Sequence, residues 1–422
     1  MTILLKNLDI VTKDAVLEGQ DILIADGVIA KIGANLSDSA EKVMDLSGKT
    51  AFPAFFDMHT HMRDPGFTYK EDIETGTKAA LHGGFWGVAA MPNTNPVTDN
   101  VPVVEYIINK ANKFGYAKVF PVAAITKGLE GKELTEMMEL KAHGAVAVSD
   151  DGKPVSDSNT MRQALIYAGM AGIPVVCHSE DLSLVNGGVM NEGATADRLG
   201  LRGITRGAEE AAIDREIIIA KSYGLPVHIT HISTKGSVEL IRNAKKEGVK
   251  VTCDTCPHYF SLTDEDCEGY DTHAKMNPPL REGFDVEAII EGLQDGTIDA
   301  IATDHAPHHF DEKKVEFDHA LNGIIGLETS FSVACTYLYQ TGKLTLPRLA
   351  ELMAQNPCDI LNITPAEIKE GKIANITVCD LEEIWMPTPE NTVSKSKNSP
   401  YYGKELTGKV KVVITDGVLK LS

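Results

Sequence analysis

From about residue 51 onward, short apolar runs alternate with longer stretches of helical periodicity. Eight runs rich in valine, isoleucine or alanine each end in polar residues, and the helical stretches between them mostly end at glycine. Continuously apolar strands that alternate with helices predict a parallel sheet covered on both faces. Eight such units predict an α/β fold of the closed (β/α)8 TIM-barrel type, with a doubly wound open sheet as the alternative. The eight predicted strands lie in TAFPAFFDMHTH, GFWGVAAMPNTN, AKVFPVAAIT, GAVAVSDD, GIPVVCHSED, LPVHITHIS, KVTCDTCPHYF and IDAIATDHAPH.

The two ends of the chain have a different pattern. Residues 1–50 and 371–422 contain short alternating apolar and polar runs between turn-forming residues, which is typical of antiparallel strands. Chain termini commonly lie close together in a folded protein. The sequence therefore predicts a small β-sandwich-like domain formed from both termini, next to a barrel of residues 51–370.

The composition is that of an ordinary globular protein. Apolar residues make up 43% of the 422 positions and charged residues 24%, and a chain of this length can bury a core that needs no disulfide or metal to hold it. The formal net charge of −20 disfavours nucleic acid and anionic membrane surfaces as main partners, because both repel an acidic protein. We therefore expect a small-molecule substrate.

The N-terminal stretch and the cysteines predict a cytoplasmic location. The sequence has no secretion signal and no apolar run of about 18 residues, and its seven cysteines are scattered and odd in number, unlike a disulfide framework. Cys253 and Cys256 form a C-x-x-C motif. Residues three apart on a strand face opposite ways, and no second cysteine pair follows, which disfavours a zinc finger or a redox pair.

Histidines and aspartates gather at the carboxyl ends of the predicted strands, where a parallel barrel has its active site. His59 and His61 end the first strand and, being two residues apart, project to the same side. Imidazole nitrogen and carboxylate oxygen together suit zinc and neighbouring first-row metals. The other residues of this kind at predicted strand ends are Asp150, Asp151, His178, His228, His231, Asp304 and His305.

Each of these residues also has an ordinary structural interpretation. An isolated H-x-H is often a surface or capping pair, His178 and His231 could be hydrogen-bonded core histidines, and Asp304 could cap a turn. Placement at five strand ends by chance is far rarer than at one, so the set as a whole predicts a metal centre. Its four histidines and two aspartates exceed the needs of one tetrahedral ion and would serve two metals that share a carboxylate.

Five motifs extend this pattern: DMHTHMRDPG, MPNTNP, VSDDGKPV, MNPPLR and ATDHAPH. With them the chain resembles, almost from end to end, the amidohydrolase superfamily and within it the dihydroorotases of the longer, bacterial first class. The resemblance implies Zn²⁺ as cofactor, two ions per subunit, with Asp151 bridging them and Asp304 acting as both ligand and catalytic proton shuttle. The implied metal ligands are His59, His61, Asp151, His178, His231 and Asp304.

The resemblance also implies how the substrate is held. Arg63 and Asn93 would clamp its carboxylate, and the backbone of Asn322 and Gly323 would meet its pyrimidine ring. The implied substrate contacts are His61, Arg63, Asn93, Asn277, His308, Asn322 and Gly323.

Members of this family interconvert N-carbamoyl-L-aspartate and L-dihydroorotate in pyrimidine biosynthesis, with a metal-bound hydroxide that attacks the ring amide carbonyl. The resemblance implies the same activity here, with a homodimer and a possible association with aspartate carbamoyltransferase. Hydantoinases, dihydropyrimidinases and allantoinases are alternatives, but their substrates lack the free carboxylate that Arg63 would bind. An inactive scaffold relative is a further alternative, disfavoured because all six ligand positions are retained.

Overall fold

The computed structural model describes residues 2–421. Its strands, in chain order, are β1 (Thr2–Val11), β2 (Val16–Ala25), β3 (Val28–Gly33), β4 (Lys42–Asp45), β5 (Thr50–Pro53), β6 (Phe55–Thr60), β7 (Phe85–Ala90), β8 (Lys118–Ala123), β9 (Ala147–Val148), β10 (Val176–Cys177), β11 (Met190–Asn191), β12 (Gly203–Ile204), β13 (Val227–Ile229), β14 (Val251–Thr255), β15 (Ala300–Ile301), β16 (Ile376–Trp385), β17 (Leu406–Thr415) and β18 (Val418–Leu421).

The α-helices are α1 (Ile73–His82), α2 (Val101–Phe114), α3 (Met137–Ala142), α4 (Ser158–Ala171), α5 (Leu182–Val185), α6 (Ala194–Leu199), α7 (Gly207–Tyr223), α8 (Lys235–Lys246), α9 (Gly283–Asp295), α10 (Phe310–Lys313), α11 (Ser330–Ala334), α12 (Leu346–Ala350) and α13 (Asn356–Ile360). Short π-helical turns at Cys335–Tyr339 and Glu351–Gln355 follow α11 and α12. The 3₁₀ turns are Lys127–Leu129, Pro257–Phe260, Asp264–Tyr270 and Thr272–Ala274.

Eight parallel strands form the barrel. One four-stranded sheet has the order β6-β7-β8-β9 and the other the order β10-β13-β14-β15. Isolated parallel bridges from Val148 to Val175 and from Thr60 to His305 join the two sheets into a ring. Each predicted strand segment contains one barrel strand, and the prediction of a closed α/β barrel is confirmed.

Local sequence explains the alternation of strands and helices. The long helix α2 begins at Asn100, whose side chain accepts a hydrogen bond from the N–H of Val103, and it ends at Gly115 with a left-handed φ of 66°. The barrel interior is filled by apolar side chains such as Phe56, Val122 and Val176, all buried. The interior of the barrel is therefore a packed apolar core.

Strands from both termini form a single second sheet. Its order is β18-β17-β16-β5-β1-β2-β3, with β4 paired to β1. This sheet confirms that the two ends of the chain fold together. We keep the predicted division near residues 50 and 371 as a proposal.

The first predicted barrel strand needs a correction, because TAFPAFFDMHTH is not one strand. Its first part, β5, pairs with β1 and β16 in the terminal sheet, and only β6 belongs to the barrel. Pro53 has no N–H to continue a ladder. Just after it, the N–H of Ala54 still donates to Asn375, whereas that of Phe55 donates to Gly84 at the start of the barrel.

Three buried phenylalanines join the barrel to the terminal sheet. Phe52 of β5 lies 5.7 Å from Phe55 of β6, between ring centroids, and Phe331 of α11 lies 5.6 Å from the first and 5.5 Å from the second. Aromatic pairs at these distances add to the free energy gained from burying the rings.

Within residues 2–421, no helix is both long and apolar enough to cross a membrane.

We expect Phe331→Ala to lower the free energy of unfolding by about 3–5 kcal/mol, because it leaves a cavity between the barrel and the terminal sheet. The matched control is Met170→Ala on α4, where the side chain is 71% exposed and the change should stay within about 0.5 kcal/mol. Urea denaturation followed by circular dichroism measures both. Equal effects of the two substitutions on the free energy of unfolding would show that the packing of the three phenylalanines does not stabilise the fold.

Candidate metal centre and active site

The predicted ligands meet at one rim of the barrel, beyond the ends of five strands. Three residues of the cleft have left-handed backbone angles that are uncommon outside glycine: Arg63 at φ 58°, His231 at 43° and Asp304 at 45°. Such conformations persist only where the surrounding structure imposes them. The fold therefore holds this rim in a defined shape.

Asp151 lies at the centre of the cluster. One ring nitrogen of each of four histidines lies 3.4–3.6 Å from its carboxylate oxygens. All five side chains are at least nine-tenths buried. The nitrogens that face Asp151 are His59 Nε2, His61 Nε2, His178 Nδ1 and His231 Nε2.

The other nitrogen of three of these rings is held from outside the cluster. His59 Nδ1 lies 2.8 Å from the Thr230 hydroxyl, which itself donates to Asp254, so the hydroxyl oxygen must accept from the ring. His61 Nδ1 donates to Asn93 Oδ1 at 2.8 Å, and His178 Nε2 faces the Glu180 carboxylate at 3.4 Å. These contacts keep a hydrogen on the outer nitrogen, so the nitrogen that faces Asp151 is the one that each ring would offer to a metal.

Asp304 closes the cluster on the side of the eighth strand. Its Oδ1 lies 3.3 Å from His59 Nε2 and 3.0 Å from His61 Nε2. Burial disfavours the charged form of Asp304, but the facing His59 and His61 outweigh it and lower its pKa to about 2. Burial likewise opposes protonation of His59, yet the charges of Asp304 and Asp151 raise its pKa to about 9. The two carboxylates thus require positive charge between them.

The donor set fits a metal ion. Three groups of ligand atoms lie close enough to hold one, and two of them share Asp151: His59 and His61 with Asp151, and His178 and His231 with Asp151. His59 Nε2 is buried and has no hydrogen-bond partner among residues 2–421, which is costly for a polar atom unless an ion binds it. Nitrogen and carboxylate ligands are those of zinc and similar metals.

A cleft of about 220 Å³ opens above the cluster. Arg63 lies at its edge, where Nε donates to the Pro307 carbonyl at 3.1 Å and a terminal nitrogen lies 3.4 Å from His308 Nε2. His308 Nε2 also lies 2.8 Å from the carbonyl of Asn322. Burial, together with the charges of Arg63 and Lys70, holds the pKa of His308 far below its usual value, so its ring is neutral.

The structure brings nearly all the predicted site residues to this cleft. His59 lies beneath it and is fully buried, and Gly323 does not line it. The N–H of Gly323 donates to Lys275, and its carbonyl accepts from Lys313 and Asn398, so both of its polar groups are already engaged. The predicted residues that line the cleft are His61, Arg63, Asn93, Asp151, His178, His231, Asn277, Asp304, His308 and Asn322.

Two buried aspartates that orient the cluster were missed by the sequence analysis. Asp254 accepts from the Thr230 hydroxyl at 2.9 Å and from the N–H of His231 at 2.7 Å. Asp57 accepts from the N–H groups of His59 and Thr303, both at 3.1 Å. Each is a lone carboxylate within an apolar strand, and such a residue is costly to bury unless it is paired. That signal could have identified both.

Other residues singled out in the sequence have structural roles. Asp150, beside Asp151, accepts from the N–H groups of Ile125 and Thr126. His228 bonds Asp254 at 2.8 Å. Cys253 and Cys256 are buried and belong to none of the metal-capable groups found among residues 2–421. Burial raises the pKa of both thiols, which favours their protonated form.

Comparisons with known proteins agree with this geometry. A model of the dihydro-orotase-like family matches residues 48–237. The chain is 54% identical over 397 residues to the dihydroorotase of Acetivibrio thermocellus, which covers 94% of this chain and 93% of the relative. It is also 54% identical over 398 residues to the dihydroorotase of Geobacter metallireducens, with 94% of both chains covered.

Solved structures confirm the fold. The L-hydantoinase (dihydropyrimidinase) from Arthrobacter aurescens superposes with a TM-score of 0.89 at 25% identity, over 99% of this chain and 95% of that one. A dihydropyrimidinase from Brevibacillus agri superposes with a TM-score of 0.85 at 21% identity, over 100% and 95%. Both of these structures thus share the fold of this chain.

We expect Asp151→Asn to weaken metal binding by more than about tenfold, a cost seen even when partners outside the ligand shell are removed. Asp150→Asn is the matched control, since its carboxylate bonds backbone N–H groups instead of the histidines. Chelator competition with metal analysis by mass spectrometry measures both. Equal loss in the two variants would contradict a metal centre built around Asp151.

Proposed function

Since this chain belongs to the dihydroorotase family of the amidohydrolases, we propose that the cleft residues catalyse the reversible ring closure of N-carbamoyl-L-aspartate to L-dihydroorotate. The activity itself, that of a hydrolase acting on cyclic amides, follows from relatives 54% identical over almost the whole chain. The observation that carries the assignment to this cleft is one carboxylate, Asp151, surrounded by four imidazoles.

The metal is proposed to be zinc, with two ions per subunit. His59 and His61 would hold one ion, His178 and His231 the other, and Asp151 would bridge them. When bound, the ions supply Lewis acidity and the ability to ionise water near neutral pH. The support is the pair of ligand groups that share Asp151.

Asp304 is proposed to move the proton. Its Oδ1, already 3.0 Å from His61 Nε2, would accept the proton of the attacking water and deliver it to the ring nitrogen as the amide bond breaks. A single carboxylate then serves first as base and afterwards as acid.

Arg63 and Asn93 are proposed to bind the carboxylate of the substrate. The guanidinium forms paired hydrogen bonds with a carboxylate, which an ammonium group cannot reproduce. Asn93 is held between His61 and Asp151, at 2.8 and 3.5 Å, so its amide lies directly beside the cluster.

The remaining contacts would orient the ring. Asn277 Oδ1 is buried and has no hydrogen-bond partner among residues 2–421, which leaves it available to a ligand. His308 and Asn322 complete the wall of the cleft, and Gly323 follows Asn322 in the chain.

The proposal has further parts that concern the cell. We assign the chain to the first, bacterial class of dihydroorotases on the motifs around His59 and Asp304, and place it in the pyrimidine pathway. We propose a homodimer in the cytoplasm, with aspartate carbamoyltransferase as its candidate partner. Hydantoinase-type activity is not favoured, because the hydantoinase-type structures are only 21–25% identical.

We expect the purified protein to open the ring of L-dihydroorotate, measured as loss of ultraviolet absorbance, and Asp304→Asn to lower kcat at least about 100-fold, the usual contribution of a general acid or base. Metal analysis should show that the variant retains its ions. Asp299→Asn, just before β15, is the control and should keep full activity. An inactive wild-type protein with bound metal would contradict the substrate assignment, and dihydrouracil and hydantoin would then be assayed.

We expect Arg63→Met to raise the KM for L-dihydroorotate about 10–100-fold, because it removes hydrogen bonds to a charged group. Any turnover of dihydrouracil, which lacks the carboxylate, should be unaffected. Arg162→Met on α4, where the guanidinium bonds Asn159 instead, is the control. An unchanged KM in Arg63→Met would show that the carboxylate of the substrate binds to other residues.

A further inference from the structure

A segment of the C-terminal region crosses the rim of the barrel. Residues 391–399, named here the rim strap, lie in the connection between β16 and β17. Two carboxylates bind it: the buried Glu71 accepts from the Ser394 hydroxyl and the N–H of Lys395, and the half-buried Glu328 accepts from the N–H groups of Val393 and Ser394. The strap is thus fixed at one end, near α1 and α11.

Asn398 lies at the other end of the strap, directly over the cleft walls, and is 1% exposed. Its Oδ1 accepts from the N–H of His308 at 3.0 Å. Its Nδ2 donates to the carbonyls of Ala306 and Gly323, both at 2.9 Å. The partners determine the orientation of the amide, since carbonyls require the NH₂ group and an N–H requires the oxygen.

The main chain of Asn398 adds a fourth bond. Its carbonyl accepts from the N–H of Ile325 at 3.0 Å. One residue therefore joins two separate loops: the one after β15, which carries His308, and the later one, which carries Asn322 and Gly323. None of the four backbone groups that Asn398 binds belongs to a predicted metal ligand.

These two loops form the wall of the cleft opposite the cluster. His308 Nε2 and the Asn322 carbonyl, 2.8 Å apart, come one from each loop. Lys313 adds support from the far side, where its ammonium donates to the carbonyls of Leu321 and Gly323 at 2.7 and 3.1 Å. Side chains outside the cleft therefore add to the backbone bridge between His305 and Ile324 in setting the spacing of this wall.

We propose that Asn398 is a positioning residue for substrate binding, which sets the distance between His308 and the Asn322–Gly323 segment. The inference rests on the function proposed above. A rigid cyclic substrate gains affinity only if the groups that contact it are held in place beforehand, and small displacements of such groups are costly. Asn398 provides this order without touching the substrate itself.

The alternative is that Asn398 merely holds the strap in place. Ser394→Ala separates the two possibilities, because it removes a strap contact at Glu71 and no direct bond to either cleft loop. Asn398→Asp is a second variant of nearly the same shape, which keeps the acceptor for His308 N–H and loses both donors. It also guards against an alanine variant that fails to fold.

The experiment compares wild type, Asn398→Ala, Asn398→Asp and Ser394→Ala. We expect both Asn398 variants to raise the KM for L-dihydroorotate at least about tenfold, with kcat within about threefold and metal content unchanged, a pattern of lost binding without lost chemistry. Ser394→Ala should keep the wild-type KM.

Hydrogen exchange provides a readout that does not depend on activity. Peptides covering residues 304–325 should exchange faster in the Asn398 variants and at the wild-type rate in Ser394→Ala. Wild-type KM and exchange in both Asn398 variants would overturn the inference, as would equal changes in Ser394→Ala. If the wild type itself fails to turn over dihydroorotate, the proposed function is overturned instead.

Discussion

The site depends on the burial of one carboxylate. A charged group removed from water is stable only when opposite charge and hydrogen bonds replace the solvent. Asp151 receives these from four imidazoles at 3.4–3.6 Å, and each of those rings must then be held in one orientation. The rest of the rim follows from that requirement.

A layer of polar groups behind the histidines meets this requirement. Thr230 and Asn93 bind outer nitrogens of two rings, and Asp254 in turn fixes Thr230 and the backbone of His231. Because the outer nitrogen keeps its hydrogen, each of these rings would give up only the inner one and bind a metal through that nitrogen. A metal site of this kind is therefore prepared by residues that never touch the metal.

The barrel and the gathering of ligands at its rim could be predicted, because apolar runs and the polar residues after them are local in sequence. The choice between Asp150 and Asp151 required the resemblance, since it depends on how the chain turns after β9. The end of β5 at Pro53 was missed because the apolar run continues past this residue into β6. The role of Asn398 could not be predicted, since its partner His308 lies 90 residues away and no local pattern links the two.

The terminal sheet contributes to the site although none of its strands carries a site residue. The strap lies in the connection between β16 and β17, and the two ends of that connection are neighbours in the sheet, where Trp385 pairs with Leu406. A loop whose ends are already together loses less entropy when it is ordered. The sheet thus lowers the entropic cost of ordering the strap that carries Asn398. Phe52, packed against Phe331, fixes the position of the sheet relative to the barrel. The ordering of the substrate wall is in this way a property of both parts of the chain.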